Sequence, residues 1–333
     1  MNSKEHGSLY EGIVYKKTIG SYEVHQDGRI LPCSISNRLR KQLLYPTADP
    51  NSIRPHVVGV KDITTIDPVA IGDRVRFLDA QDGTGLIQEI LPRSNKLVRR
   101  SAVPMPTAHP FEQIIVTNLD QVAPVLSAAQ PAPNWNLLDR YLVSAESAGI
   151  PAIVVVTKLD LLAAVEREEM DRELDVYRNA SYPVLLTSTV TREGLEMLRE
   201  QLQGKMTVFM GKSGVGKTTL LNAIQPGLGL RVNEVNAKTG KGKHTTTRLE
   251  MFPLDFGGGI VDTPGMREFG MWEVDGSELA DFFPEIRPFV GRCRFGLNCS
   301  HDVEPGCAVK QAVALGQVSE RRYRSYLQLR EDL

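Results

Sequence analysis

Three groups of residues in this chain have types and spacings suited to chemistry. The first is Gly211-Lys212-Ser213-Gly214-Val215-Gly216-Lys217-Thr218, a complete phosphate-loop pattern. It follows an apolar strand and precedes a helix-forming run, TLLNAI, the context the motif needs. Small residues let backbone N–H groups turn inward around phosphates. Lys217 supplies a charge for the β/γ oxygens, and Thr218 supplies a hydroxyl for Mg²⁺. The second group is Thr157-Lys158-Leu159-Asp160, which ends the apolar run AIVVV. A carboxylate at Asp160 can accept both the N1 and N2 hydrogens of guanine, and adenine offers no such donor pair. Asp262-Thr263-Pro264-Gly265 ends GGGIV, where an Asp reaches the Mg²⁺ shell and the Gly265 N–H can sense a γ-phosphate. Ser188, after YPVLL, occupies the place of a small guanine-recognition loop.

The third group is Cys293, Cys299, His301 and Cys307, three thiols and an imidazole within 15 residues. They form a full Cys₃His set for tetrahedral Zn²⁺ with no position left for water, so a structural zinc is expected. Cys33 stands apart from this cluster and has no reading of its own.

The order of the motifs is unusual. Asp160 precedes Lys217 by 57 residues, whereas ordinary GTPases begin with the phosphate loop and end with base recognition. A parallel sheet tolerates the reversal, since the loops need only meet in space. The reading is a circularly permuted GTPase domain, whose DTPG loop leads into the C-terminal region and could reorient it. Between the phosphate loop and DTPG lies Gly240 to Arg248, a Gly-rich, basic, Thr-containing stretch suited to a switch. Met266 follows DTPG and cannot orient water. His244 is therefore the candidate catalytic group.

These motifs require elements to hold them. Residues 9–100 read as short strands broken by Gly, Pro, Asn and Asp, the pattern of a small barrel. The segment 48–68 has no assignment. Residues 101–112 carry three prolines and read as a linker. Residues 113–274 alternate apolar strands, beginning with QIIVTNLD, with helices, as in a parallel sheet covered on both faces. Ligands bind such sheets beyond the carboxyl ends of the strands. Residues 275–333 read as a helical zinc-binding domain, with helices over SELADFFPEIRPFV and SERRYRSYLQLRED.

Composition narrows the classes. The chain has 333 residues, 41% hydrophobic and 24% charged, with a net charge of −1, which excludes a strongly basic nucleic-acid coat. The distribution is uneven. Residues 1–100 carry 15 Lys/Arg against 11 Asp/Glu, residues 101–290 carry 17 against 24, and residues 291–333 carry 7 against 5. Basic clusters at Arg38, Arg40 and Lys41, at Arg93, Lys96, Arg99 and Arg100, and at Arg321, Arg322 and Arg324 permit RNA contacts at the two ends. No apolar run approaches membrane-spanning length and no signal core opens the chain, so a cytoplasmic protein is expected.

Taken together, the N-terminal barrel, TKLD ahead of GKSGVGKTTL and DTPG, and the C-terminal zinc cluster resemble the ribosome small-subunit-dependent GTPase A (RsgA/YjeQ) family. GDRV at 72–75, ILPRSNKLVRR, LDRYLVSAE, GKGKHTTT and EPGC at 304–307 resemble it too. The first two zinc cysteines stand five residues apart, where four is usual, and Ser188-Thr189 replaces Ser-Ala. The resemblance implies an OB-fold barrel and hydrolysis of GTP to GDP and phosphate, stimulated by the small ribosomal (30S) subunit during its late maturation, with contacts to its 16S rRNA. It also implies that Thr157 to Asp160 bind guanine, Gly211 to Thr219 bind phosphates, the Cys₃His set binds zinc, and the His244 loop carries the catalytic histidine. A monomer with GTP/GDP and Mg²⁺ as ligands is expected. The alternative is a GTP-regulated RNA-binding switch acting on another RNA or on the large ribosomal subunit.

Overall fold

The computed structural model describes residues 8–18, 20–44, 68–100, 112–230, 250–262 and 274–333. They divide between two compact units, within Met1–Leu119 plus Leu249–Phe252 and within Asp120–Arg248 plus Pro253–Leu333.

The first unit contains β1 (Leu9–Thr18), β2 (Ser21–Gln26), β3 (Arg29–Ile35), α1 (Asn37–Leu44), β4 (Arg74–Asp79), β5 (Gly85–Ile90), β6 (Lys96–Arg100) and β7 (Glu112–Thr117). Antiparallel β1–β2, β2–β3, β4–β5 and β1–β4 pairs, with a parallel β3–β5 pair, close a five-stranded barrel. This is the expected OB-type barrel. Alternate residues point inward, and Val14, Val24, Leu31, Val75, Phe77 and Ile87 fill the interior. Cys33 is buried among them. The GDRV stretch has a structural cause. Gly72 holds φ +86°, and a Cβ there would lie 2.1 Å from the Thr117 carbonyl oxygen. The buried Asp73 carboxylate accepts from the Ala70 N–H at 2.8 Å, the Thr117 hydroxyl at 2.8 Å and the Arg93 guanidinium at 2.7 Å. The stretch from Gln113, read as the first strand of the alternating region, instead pairs antiparallel with β6. The segment 48–67 lies outside the described residues.

The second unit contains β8 (Gln121–Ser127), α2 (Trp135–Ser147), β9 (Val154–Thr157), α3 (Ala164–Asn179), β10 (Val184–Leu186), α4 (Leu195–Leu202), β11 (Met206–Met210), α5 (Lys217–Ile224) and β13 (Gly259–Asp262); β12 (Glu250–Pro253) precedes β13 in sequence, and its residues up to Phe252 belong to the first unit. Strands β10-β9-β8-β11-β13 run parallel in that order. Every residue of β8 and β9 is buried, as expected for strands covered on both faces. All five strands therefore deliver their carboxyl-end loops to one edge.

Residues 274–333 belong to this same compact unit. Leu279, Phe283, Ile286, Val309, Tyr326 and Leu329 form a core that also takes in Val143 of α2. α6 (Ala308–Ala314) and α7 (Glu320–Glu331) are regular. SELADFFPEIRPFV is not the expected helix but two short 3₁₀ turns, Leu279–Phe282 and Arg287–Phe289. Pro284 and Pro288 each lack an N–H, which prevents a continuous helical ladder.

Candidate functional site

The phosphate loop joins β11 to α5. Gly211 passes so close to β8 that a Cβ would lie 2.5 Å from the Val125 carbonyl oxygen. Gly214 and Gly216 hold φ of +84° and +96°, which turns the loop before the helix begins. The first N–H groups of any helix lack intrahelical acceptors, so α5 presents donors toward this loop. The Lys217 ammonium arches back and donates to the carbonyl oxygens of Gly211 at 2.6 Å and Lys212 at 3.2 Å. Thr218 is half-buried and Thr219 exposed on the first turn of α5, while Ser213 is exposed on the loop.

The TKLD loop leaves β9 two strands away and turns toward the phosphate loop. Lys158 holds φ +61°. Its ammonium donates to the Gly214 carbonyl at 2.7 Å and also to the Gln130 carbonyl. Burial lowers the Lys158 pKa, and the nearby Asp160 charge opposes that shift. The Thr157 hydroxyl donates to the Val215 carbonyl. Two side chains of the TKLD loop thus bind the backbone of the phosphate loop, closing the sequence gap. Leu159 is buried beneath them. Asp160 is exposed, and its Oδ1 accepts the Ser188 hydroxyl at 2.5 Å. The buried Ser188 Oγ in turn accepts the N–H groups of Val190 at 3.2 Å and Thr191 at 3.1 Å. Loops following β8, β9, β10 and β11 are therefore brought together by direct contacts.

Asp262 ends β13, paired in register with Phe209 of β11, so the DTPG segment starts beside the phosphate-loop strand. Thr263 to Gly265, Met266, and Gly240 to Arg248 with His244 lie outside the described residues. The Gln130 carbonyl was not anticipated. It belongs to the loop after β8, and a backbone acceptor leaves no trace in residue type.

The metal candidates also converge. The ligand atoms of Cys293, Cys299, His301 and Cys307 all lie within 4.8 Å of one another, and all four residues are buried. Cys293 Sγ is 3.8 Å from Cys307 Sγ, and His301 Nδ1 is 3.4 Å and 3.5 Å from those two sulfurs. A zinc tetrahedron with Zn–S of about 2.3 Å and Zn–N of about 2.05 Å has edges of about 3.8 Å (S–S) and about 3.5 Å (S–N). The three measured edges match, so the cluster can hold a metal ion. Burial pushes the Cys299 thiol up to about 12. A cation is what would make buried thiolates favourable here. Supporting donors are present too. The Ala308 N–H reaches Cys293 Sγ at 3.2 Å, and the Lys310 N–H reaches Cys307 Sγ at 3.5 Å. The Tyr323 hydroxyl donates to the His301 carbonyl at 2.6 Å. Glu304 accepts from the N–H groups of Ser300 at 2.8 Å and Asp302 at 3.1 Å, which fixes the turn around His301.

The basic clusters separate into two kinds. Arg38, Arg40 and Lys41 lie exposed on α1, with Leu39 buried between them. Arg93 is spent on Asp73 and the Pro68 carbonyl. Arg322 is fully buried between Asp139 and Glu285, each at 2.6 Å. Arg321 binds Glu173 at 2.9 Å and lies over the Trp135 ring at 4.8 Å. These three arginines hold the fold together instead of facing a polyanion.

Comparisons with known proteins agree with this geometry. Residues 90–272 match the RsgA GTPase family model. The "Small ribosomal subunit biogenesis GTPase RsgA" of Bacteroides fragilis is 38% identical over 323 residues, covering 97% of this chain and 96% of the relative. The protein of that name from Gemmatimonas aurantiaca is 46% identical over 272 residues, covering 80% and 84%. The crystal structure of YjeQ from Thermotoga maritima superposes with a TM-score of 0.75 at 29% identity, covering 98% of this chain and 99% of that one. YloQ, described as a circularly permuted GTPase, superposes with a TM-score of 0.70 at 29% identity, covering 100% and 97%. With the GKSGVGKT and TKLD loops joined in reverse order on one sheet edge, and likeness to relatives over nearly the full length, the chain belongs to the RsgA GTPase family.

Proposed function

We propose that this protein hydrolyses GTP to GDP and phosphate, is stimulated by the small ribosomal subunit, and acts late in that subunit's maturation through contacts with its 16S rRNA. The observation that carries the reading is the pair of bonds from Thr157 and Lys158 to the Val215 and Gly214 carbonyls. They join the TKLD and GKSGVGKT loops, which supports base and phosphate recognition on one surface. The names of the full-length relatives support the ribosomal part.

In this reading Asp160, oriented by Ser188, accepts the guanine N1 and N2 hydrogens. Lys158 and Leu159 shape the floor under the base. Gly211 to Thr219 wrap the phosphates with backbone N–H groups, and Lys217 leaves its loop carbonyls to neutralise the β/γ oxygens. Thr218 and Asp262 would hold Mg²⁺, which would offset charge on the β- and γ-phosphates. Water attacks the γ-phosphorus and the bond to the β–γ bridging oxygen breaks, its electrons staying with GDP. His244 would orient that water, and the Gly265 N–H would sense the γ-phosphate. Cys293, Cys299, His301 and Cys307 would hold one structural Zn²⁺. Functionally we divide the chain into a barrel (1–100), a linker (101–112), a permuted GTPase (113–274) and a zinc-binding region (275–333), acting as a cytoplasmic monomer. The barrel and the zinc-binding region supply the rRNA contacts.

The test is GTP turnover by purified protein with and without purified small subunits. The reading expects slow turnover alone and marked stimulation by small subunits. Equal rates, or stimulation by large subunits alone, contradict it.

A further inference from the structure

The loop between the first two metal-ligand cysteines is built against the usual logic of a surface. Cys293 and Cys299 are buried, yet Phe295 and Leu297 between them are 47% and 78% exposed. Val303, on the neighbouring ligand loop between His301 and Cys307, is 80% exposed. Three large apolar side chains around one buried cluster are not explained by packing. The loop holding the first two is also preorganised. The Gly296 N–H donates to the Cys293 carbonyl at 2.9 Å, that of Asn298 to Phe295 at 3.2 Å, and that of Arg294 to Gly306 at 3.1 Å. Gly296 holds φ +57°. Both ends of the loop are tied to ligand residues, so presenting Phe295 to a partner costs little further ordering.

The charges beside it give the partner's chemistry. Seven arginines fall between 274 and 333. Arg287, Arg321, Arg322, Arg324 and Arg330 each bind a carboxylate or a carbonyl. Arg292 and Arg294 make no side-chain hydrogen bond or ion pair among the described residues. The neighbouring ligand loop that ends at Cys307 carries two acidic residues: Glu304 is already occupied by the N–H groups of Ser300 and Asp302, and Asp302 is exposed. Two guanidinium groups without partners among the described residues thus stand one and three positions ahead of an exposed aromatic residue on a short, braced loop. An unpaired nucleotide offers both partners at once, a base face for the ring and phosphates for the cations. An acidic peptide would satisfy the arginines and leave the ring unexplained.

We propose that Arg292 to Asn298 form a docking loop for an unpaired rRNA nucleotide, with Phe295 stacking on the base and Arg292 and Arg294 binding the flanking phosphates. The proposal rests on the ribosomal reading above and adds to it a named site and a single-stranded target. It assigns the C-terminal contact to the 292–298 loop, while Arg321 and Arg322 remain internal.

The test uses the full-length zinc-loaded chain and three variants, F295W, F295S/L297S and R292Q/R294Q, each with its zinc content measured to verify the cluster. The probes are a fluorescein-labelled 12-nucleotide single-stranded RNA and a duplex of equal length. Single strand should quench the indole emission that F295W adds, measured as the difference from wild type, and duplex should leave it unchanged. F295S/L297S should bind the single strand about 5- to 150-fold more weakly, the range of one lost base stack. R292Q/R294Q should flatten the slope of log affinity against log salt by about 1.4, two phosphate contacts at about 0.7 each. Unchanged emission and unchanged affinity overturn the proposal. Loss of small-subunit co-sedimentation with single-strand binding intact also overturns it, since the loop would then dock on protein. Subunit-stimulated GTP turnover of the wild type is run alongside. Its absence would sink the functional reading, while its presence beside unaffected variants sinks the docking loop alone.

Discussion

Replacing Arg322 by methionine tests how the C-terminal helix is held. The Arg322 side chain is fully buried, with Nη1 2.6 Å from Asp139 Oδ1, Nε 2.6 Å from Glu285 Oε1 and Nη2 3.2 Å from Glu285 Oε2. Burial alone would lower its pKa, but the Asp139 and Glu285 carboxylates more than reverse this and leave it well above the ordinary value. Removing one partner of a buried ion pair typically costs about 3–5 kcal/mol, because the other charge is left unpaired. Two features pull the figure to the lower end. Asp139 keeps the Tyr177 hydroxyl at 2.7 Å and the Arg321 guanidinium at 3.6 Å. Glu285 is 12% exposed and can recruit water. We expect Arg322→Met to cost about 3 kcal/mol. Asp139→Asn combined with it should cost less than the sum of the single changes by about 1 kcal/mol or more. Trp135 stacks near Tyr177 and lies under Arg321, so its fluorescence reports on this region. Urea unfolding in a Trp272→Phe background gives the four stabilities. A single-variant loss below about 1 kcal/mol, or strict additivity, would refute the reasoning.

Three further outcomes follow. His244→Ala should leave GDP affinity nearly intact and lower subunit-stimulated turnover by about 10²–10⁴, the range for an acid/base or water-positioning group; unchanged turnover removes it from the site. Burial of His25, stacked on Tyr15 at 3.8 Å, lowers its pKa below the ordinary 6.5 despite the opposing Glu23 charge. The unfolded chain then binds the proton more tightly, so barrel stability is intact above about pH 6.5 and falls as pH drops below it. Thermal melts from pH 7.5 to 5.5 should show this loss in the wild type and a smaller one in His25→Phe. Finally, Cys307→Ser should purify without stoichiometric zinc and lose hydrogen-exchange protection across α6 and α7, and retention of one bound zinc would contradict the Cys₃His assignment.

What could be read in the sequence was what depends on near neighbours. GKSGVGKT and TKLD each sit at a strand end, and strand, loop and turn chemistry are all encoded within about ten residues of them. The cysteine cluster is legible for the same reason. Long-range partners were not. Arg93 and Arg322 look like free basic residues until Asp73 and Asp139 are brought beside them from 20 and 183 positions away. The α3 helix leaves little trace in the sequence, because its buried stripe is only Met170, Leu174 and Tyr177 in a run dominated by charge. In SELADFFPEIRPFV the apolar spacing imitates a helix, but the prolines leave 3₁₀ turns. The Gln130 carbonyl that receives Lys158 is a backbone atom, and any residue could have supplied it.

The proposed function requires Asp160 and Lys217 to serve one nucleotide. Asp160→Asn exchanges a carboxylate that accepts two guanine hydrogens for an amide that can accept from N1–H and donate to a C2 carbonyl. At about 1.5–3 kcal/mol for each charge-assisted bond, GDP affinity should fall by about 10²–10⁴. Xanthosine diphosphate, which carries that carbonyl, should now bind better than GDP, and Lys217→Ala should weaken both nucleotides in either background. Undiminished GDP binding by Asp160→Asn, with no gain for xanthosine diphosphate, would contradict the shared site.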